Sequence, residues 1–94
     1  MLATEIDASM RILVVEDEPD LLRSIAQALR EEGYAVDTAA NGEDGLFSAE
    51  NSDYDALVLD VMMPKMDGWE MLARLRKSKK TPVLMLTARD QSRD

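Results

Sequence analysis

Three short runs in this chain are apolar almost end to end: RILVV at 11–15, ALVLD at 56–60 up to its last residue, and PVLML at 82–86. A strand with one wet face alternates polar and apolar residues, whereas a strand apolar throughout has both faces covered. Covering both faces takes helices on each side, and the sequence supplies them between the runs. After RILVV comes EDEPD, with Pro19 placed for a first helical turn. Leu22, Ile25, Ala26 and Leu29 then recur at helical spacing until Gly33, a natural stop. This predicts a helix over 19–32. YAVDTAA (34–40) reads as a second strand, and its alternation fits an edge position. Asn41-Gly42 reads as a turn, followed by a short helix to Asn51 with Leu46 and Ala49 inward. Gly45 inside that helix weakens it by about 1 kcal/mol relative to Ala. Met66-Asp67-Gly68 is another turn, and Trp69 to Lys77 a third helix with Met71, Leu72 and Leu75 inward. The order βαβαβαβ with short connections predicts an α/β fold: a parallel sheet, right-handed crossovers and helices on both faces.

The bulk properties narrow the function. Nineteen acidic residues against eleven basic ones give a net charge of −8, which argues against a nucleic-acid-binding surface. There is no cysteine, hence no disulfide framework or thiolate metal site. There is no histidine, which removes the usual general base and the commonest metal ligand. No apolar run approaches the roughly 20 residues of a membrane span. The start, MLATEIDAS, lacks the basic region and hydrophobic stretch of a secretory signal. The expectation is a cytoplasmic protein with no membrane contact. Residues 1–9 show no period and read as a flexible extension ahead of a domain at 10–94. PVLML has the pattern of an interior strand, yet only Thr87 to Asp94 follow it. The domain therefore reads as truncated after its fourth strand, with an uncovered edge open to self-association.

The stretch LVLDVMMPKMDG, Leu57 to Gly68, carries the functional signal. An apolar strand ends on Asp60, and a buried carboxylate is costly unless it is paired, hydrogen-bonded or bound to a metal. In open parallel α/β sheets, sites form beyond the carboxyl ends of the strands. Glu16 and Asp17 end the first strand, Asp60 the third and Thr87 the fourth. Taken alone, an acidic pair after a strand is usually a solvated loop or a match to a helix dipole. A lone Asp there is usually a turn former, and a lone Thr a cap. Met62 and Met63 read as packing rather than chemistry. What matters is the coincidence of these groups at one edge. If the first and third strands are neighbours, three carboxylates converge, and their mutual repulsion calls for a cation. All-oxygen ligands suit Mg²⁺ or Mn²⁺, so the edge is arranged for magnesium-dependent phosphoryl chemistry. Asp60 would be the nucleophile. The Thr87 hydroxyl and the Ala88 backbone N–H would donate to phosphoryl oxygens.

ILVVEDE, YDALVLDVMMPKMDGWE and TPVLMLTAR, in this order over about residues 10–90, closely resemble the receiver domain of bacterial two-component response regulators, most of all the OmpR-type class. The resemblance implies a three-layer flavodoxin-like fold with strand order 2-1-3-4-5. It implies that Asp60 is phosphorylated by a sensor histidine kinase, that Asp17 ligates Mg²⁺ directly, and that Glu16 acts through water. It assigns the Met62 backbone carbonyl to the metal and makes Thr87 the switch hydroxyl. Pro64 and Gly68 would shape the loop after the acceptor. The family's fifth-strand lysine has no counterpart here, since neither Lys65 nor Lys77 falls at its position. The family's switch aromatic, last two helices and DNA-binding output domain are likewise unmatched. The alternative reading is therefore an interaction fragment that is not phosphorylated. A haloacid-dehalogenase-type phosphatase fits poorly, because its second aspartate would fall at Met62.

Overall fold

The apolar runs become neighbouring strands of one sheet. The computed structural model describes residues 10–86. Its elements are β1 (Arg11–Val15), α1 (Pro19–Glu31), β2 (Ala35–Ala39), α2 (Gly42–Asn51), β3 (Ala56–Asp60), α3 (Gly68–Leu75) and β4 (Val83–Leu86). The four strands are all parallel in the order β2-β1-β3-β4. This is the expected flavodoxin-like arrangement, with β2 at an edge.

Strand alternation divides the apolar residues between two layers. Leu13, Val15, Leu57 and Leu59 point to one face, where Ala49 of α2 and Met71 and Leu75 of α3 cover them. Ile12, Val14, Val36 and Val58 point to the other, against Ala26 of α1. Each fully buried leucine or valine here contributes roughly 1.5–3 kcal/mol. On α1, Leu22, Ile25 and Leu29 are only partly buried, so Ala26 makes the close contact that the helical spacing placed on that face. β4 has no strand on its outer side among the described residues, and its Leu84 is 62% exposed despite the interior-type sequence.

Each helix starts on a side-chain cap, and the caps explain the boundary differences. Glu18 accepts from the Leu21 N–H at 2.7 Å, Asn41 from Asp44 at 2.8 Å and Asp67 from Glu70 at 2.8 Å. The expected turns at Asn41-Gly42 and Met66-Asp67-Gly68 are thus helix starts, and α3 begins at Gly68. α1 ends one residue early because Glu32 is its C-cap. α3 stops at Leu75, short of the expected Lys77, with Arg76 as its C-cap. Pro82 lies outside β4, although its carbonyl accepts from the Leu57 N–H at 2.9 Å.

The amino end of the sheet is tied by a small polar cluster. Asp37 accepts from the Tyr54 hydroxyl at 2.6 Å and from the Arg11 guanidinium at 2.9 Å. Arg11 lies 4.9 Å from the centre of the Tyr54 ring, and its backbone N–H donates to Asp55 at 2.7 Å. These contacts join β1, β2 and the approach to β3, and so support the register that aligns the strands' carboxyl ends. No helix of the described residues is long and apolar enough to cross a membrane.

Candidate functional site

Register builds the site. Val15 pairs with Leu59, so the next residues, Glu16 and Asp60, emerge side by side from two neighbouring strands. Glu16 is also held from its other side, where its N–H donates to the Ala39 carbonyl at 3.1 Å. Asp17 follows directly in the β1–α1 turn. One carboxylate oxygen from each of Glu16, Asp17 and Asp60 lies within 4.8 Å of the others. The structure therefore brings together the three acids singled out in the sequence.

Two of the three are removed from water: Glu16 is 3% exposed and Asp60 6%. Glu16 is thus not the solvated loop residue that an acidic pair taken alone usually is, because the strand ladder carries it into the protein before the chain turns. Its carboxylate accepts from the Glu18 N–H at 3.0 Å. Asp60 accepts from the Met62 N–H at 3.2 Å. Burial raises the proton affinity of Glu16 above the ordinary glutamate value. The Glu18 N–H opposes this, whereas the nearby Asp60 and Asp17 charges and a side-chain hydrogen bond with Asp60 add to it. Among the described residues no lysine or arginine forms an ion pair with the three acids. A buried acidic cluster without a protein cation, made only of hard oxygen donors, fits a divalent ion such as Mg²⁺.

The loop from Val61 to Asp67 follows Asp60 directly and bonds back to it through the Met62 N–H. The Gly68 N–H donates to the Val61 carbonyl at 2.9 Å, drawing the loop's two ends together, and the Val61 N–H donates to Leu86 at 3.0 Å. Met63 and Met66 are buried, whereas the Met62 side chain is 62% exposed. The packing expectation is correct for Met63 and wrong for Met62, because the loop turns Met62 outward while its N–H caps Asp60. Thr87 and Ala88 lie outside the described residues; Leu86, just before them, pairs in register with Asp60.

Three glycines make close approaches here; Gly68 was expected to shape the loop after Asp60, whereas Gly42 and Gly45 were not legible as points of contact. A Cβ on Gly68 would strike the Asp60 carbonyl oxygen and lie 2.9 Å from the Val61 Cα. A Cβ on Gly42 would lie 2.7 Å from the Met66 carbonyl oxygen, and one on Gly45 2.8 Å from both Val15 γ-methyls. Their signal in the sequence was weak: glycines at or near helix starts, where other residues form better helices.

A parallel α/β sheet whose carboxyl edge gathers three acidic side chains, two of them buried, defines the class of domain. The chain matches the model of the response regulator receiver domain over residues 12–94 and belongs to that family. It is 55% identical over 83 residues to the transcriptional regulatory protein TcrA of Mycobacterium tuberculosis, a match covering 87% of this chain and 33% of TcrA. The chain thus spans about a third of the length of that relative. The chemotaxis protein CheY4 of Vibrio cholerae superposes with a TM-score of 0.82 at 34% identity, over 88% of this chain and 72% of its own. The response regulator TrrA of Thermotoga maritima, in complex with Mg²⁺ and BeF, superposes with a TM-score of 0.73 at 43% identity, over 80% of this chain and 64% of its own. TrrA in complex with the histidine kinase ThkA gives 0.78 at 42% identity, over 89% of this chain and 73% of that one.

Proposed function

We propose that this chain is a cytoplasmic phosphorelay receiver whose Asp60 accepts a phosphoryl group from a sensor histidine kinase in the presence of Mg²⁺. The observation that carries this reading is the convergence of the Glu16, Asp17 and Asp60 carboxylates within 4.8 Å, two of them buried and none ion-paired among the described residues. Asp17 and Asp60 would hold the ion directly, Glu16 through water, with the Met62 backbone carbonyl as a further ligand. Bound there, Mg²⁺ supplies charge neutralisation and orients the phosphoryl group. The Met62 N–H fixes one Asp60 oxygen. An Asp60 oxygen attacks phosphorus, the bond from phosphorus to the kinase imidazole nitrogen breaks, and an aspartyl phosphate forms. The Thr87 hydroxyl and the Ala88 N–H complete the phosphoryl contacts. In a longer protein of the TcrA kind, this event would govern a transcriptional output, leaving nucleic-acid contact to another domain. The chain itself is read as a switch component rather than a turnover enzyme.

The test is incubation with acetyl phosphate, with and without Mg²⁺, followed by intact-mass measurement. One hydroxylamine-sensitive phosphoryl adduct on the wild type, absent from Asp60→Asn, is the expected result. No adduct on a chain that circular dichroism shows to be folded would reject phosphoryl acceptance.

A second reading rests on Leu84, 62% exposed on a strand whose outer edge is free among the described residues. Such an edge favours self-association, and a single sharp monomer boundary in sedimentation at micromolar concentration would refute it.

A further inference from the structure

The loop that follows Asp60 is held in a set shape that its own sequence does not favour. Lys65 has φ +70, the left-handed region, where a residue other than glycine persists only if its surroundings impose it. The loop's ends are fixed by the Gly68-to-Val61 hydrogen bond. Its middle is fixed by Met66, which is buried although it lies between exposed Lys65 and Asp67. What Met66 rests on is the start of α2. A Cβ at Gly42 would lie 2.7 Å from the Met66 carbonyl oxygen, 3.0 Å from its Cβ and 3.2 Å from its Cγ. The first of these partners is backbone, so no rotamer change relieves it.

We infer that Gly42 is a positioning residue for the cation site: by having no side chain, it lets the first turn of α2 brace the 61–67 loop at Met66, and so sets the place of the Met62 carbonyl and N–H beside Asp60. The inference rests on the magnesium reading above. Gly42 lies on a different element from every proposed ligand and meets the loop directly at Met66. Moving from 2.7 Å to an ordinary contact of 3.4 Å between the added methyl and the Met66 oxygen takes about 0.7 Å, which exceeds the roughly 0.5 Å within which such a site must be held.

The test is calorimetric titration of the full 94-residue chain with Mg²⁺, alongside urea unfolding of each variant. Gly42→Ala is expected to weaken Mg²⁺ binding by roughly 10-fold, the scale of outer-shell changes at metal sites. Phe47→Gly, on the same helix, 68% exposed and outside the core that holds Met63 and Met66, is the control: it destabilises α2 and leaves Mg²⁺ affinity within about twofold. A folded Gly42→Ala chain with wild-type affinity overturns the inference. So does an equal loss in both variants, which would mean general loosening of the fold. If Gly42→Ala does not fold, Met66→Ala decides, since it removes the buried side-chain atoms beyond Cβ that seat the loop against α2; unchanged Mg²⁺ affinity in that variant overturns the inference. Absent binding in the wild type, or undiminished binding in Asp60→Asn, would instead refute the magnesium reading itself and remove the ground on which Gly42 was assigned.

Discussion

Gly45→Ala sets two effects of opposite sign against each other. In a helix interior, alanine is better than glycine by about 1 kcal/mol, so local propensity alone makes the substitution stabilising. The new methyl, however, would lie 2.8 Å from both γ-methyls of Val15 and 3.3 Å from the Met71 sulfur. Val15 and Met71 are fully buried between α2, α3 and the sheet, so neither has free space to retreat into. Overpacking of this kind costs about 1–3 kcal/mol, and two simultaneous contacts place it at the upper end. The net expectation is a loss of about 2 kcal/mol, which lowers the melting temperature of a domain this small by roughly 8–16 °C. Circular dichroism melts and urea titrations read it directly. A double-mutant cycle with Val15→Ala sharpens the test, because removing both γ-methyls removes the clash. The two substitutions together are expected to cost about 1–2 kcal/mol less than the sum of their separate costs. A melting temperature that rises in Gly45→Ala, or costs that simply add, would refute the packing argument.

Gly68→Ala meets only backbone, at Asp60 and Val61; it is expected to cost about 3 kcal/mol or more, and a urea midpoint showing under about 1 kcal/mol would contradict this. Asp60→Asn removes one charge from the cluster: at 4.8 Å and an effective dielectric of about 20 the repulsion is about 3.5 kcal/mol per pair, reduced toward about 1 kcal/mol where water reaches Asp17. The variant should therefore melt higher than the wild type in EDTA and gain less from Mg²⁺; a lower melting temperature in EDTA would refute the repulsion. At the opposite end of the sheet, the Tyr54 hydroxyl and then Arg11 hold the Asp37 carboxyl below its ordinary value of 3.8. A lowered folded value stabilises the protein above the unfolded value, and that stability is lost as pH falls through the folded one. The advantage of wild type over Asp37→Asn should be complete at neutral pH and shrink below pH 3.8. Parallel pH profiles of the two proteins would refute it.

The strands and the parallel layering follow from a pattern that is robust in sequence: apolar runs of five residues cannot form a one-sided sheet, and the helical spacings between them cover both faces; the order of the strands came from the family resemblance. The convergence of Glu16 and Asp60 was legible for the same reason, since two strands in register carry the residues after them to one edge. What escaped the sequence depends on distances between elements. Whether Gly42, Gly45 or Gly68 is a weak helix residue or a point of close approach is decided by Met66, Val15 and Asp60, none of them a local neighbour on the same element. Met62 and Met63 are adjacent and chemically identical, yet one is exposed and the other buried, because the loop's path depends on the Gly68-to-Val61 closure. Asn41 and Asp67 read as turn residues because a cap and a turn draw on the same side chains.

The central claim is that Asp60, and no other of the nineteen acidic residues, is the phosphoryl acceptor. Borohydride reduction of the acetyl-phosphate-treated chain converts an aspartyl phosphate to homoserine, and tandem mass spectrometry then locates it. Homoserine is expected at position 60 alone, dependent on Mg²⁺ and lost when Asp17 is replaced by Asn. Homoserine at another position, or at position 60 in equal yield without a divalent cation, would contradict it.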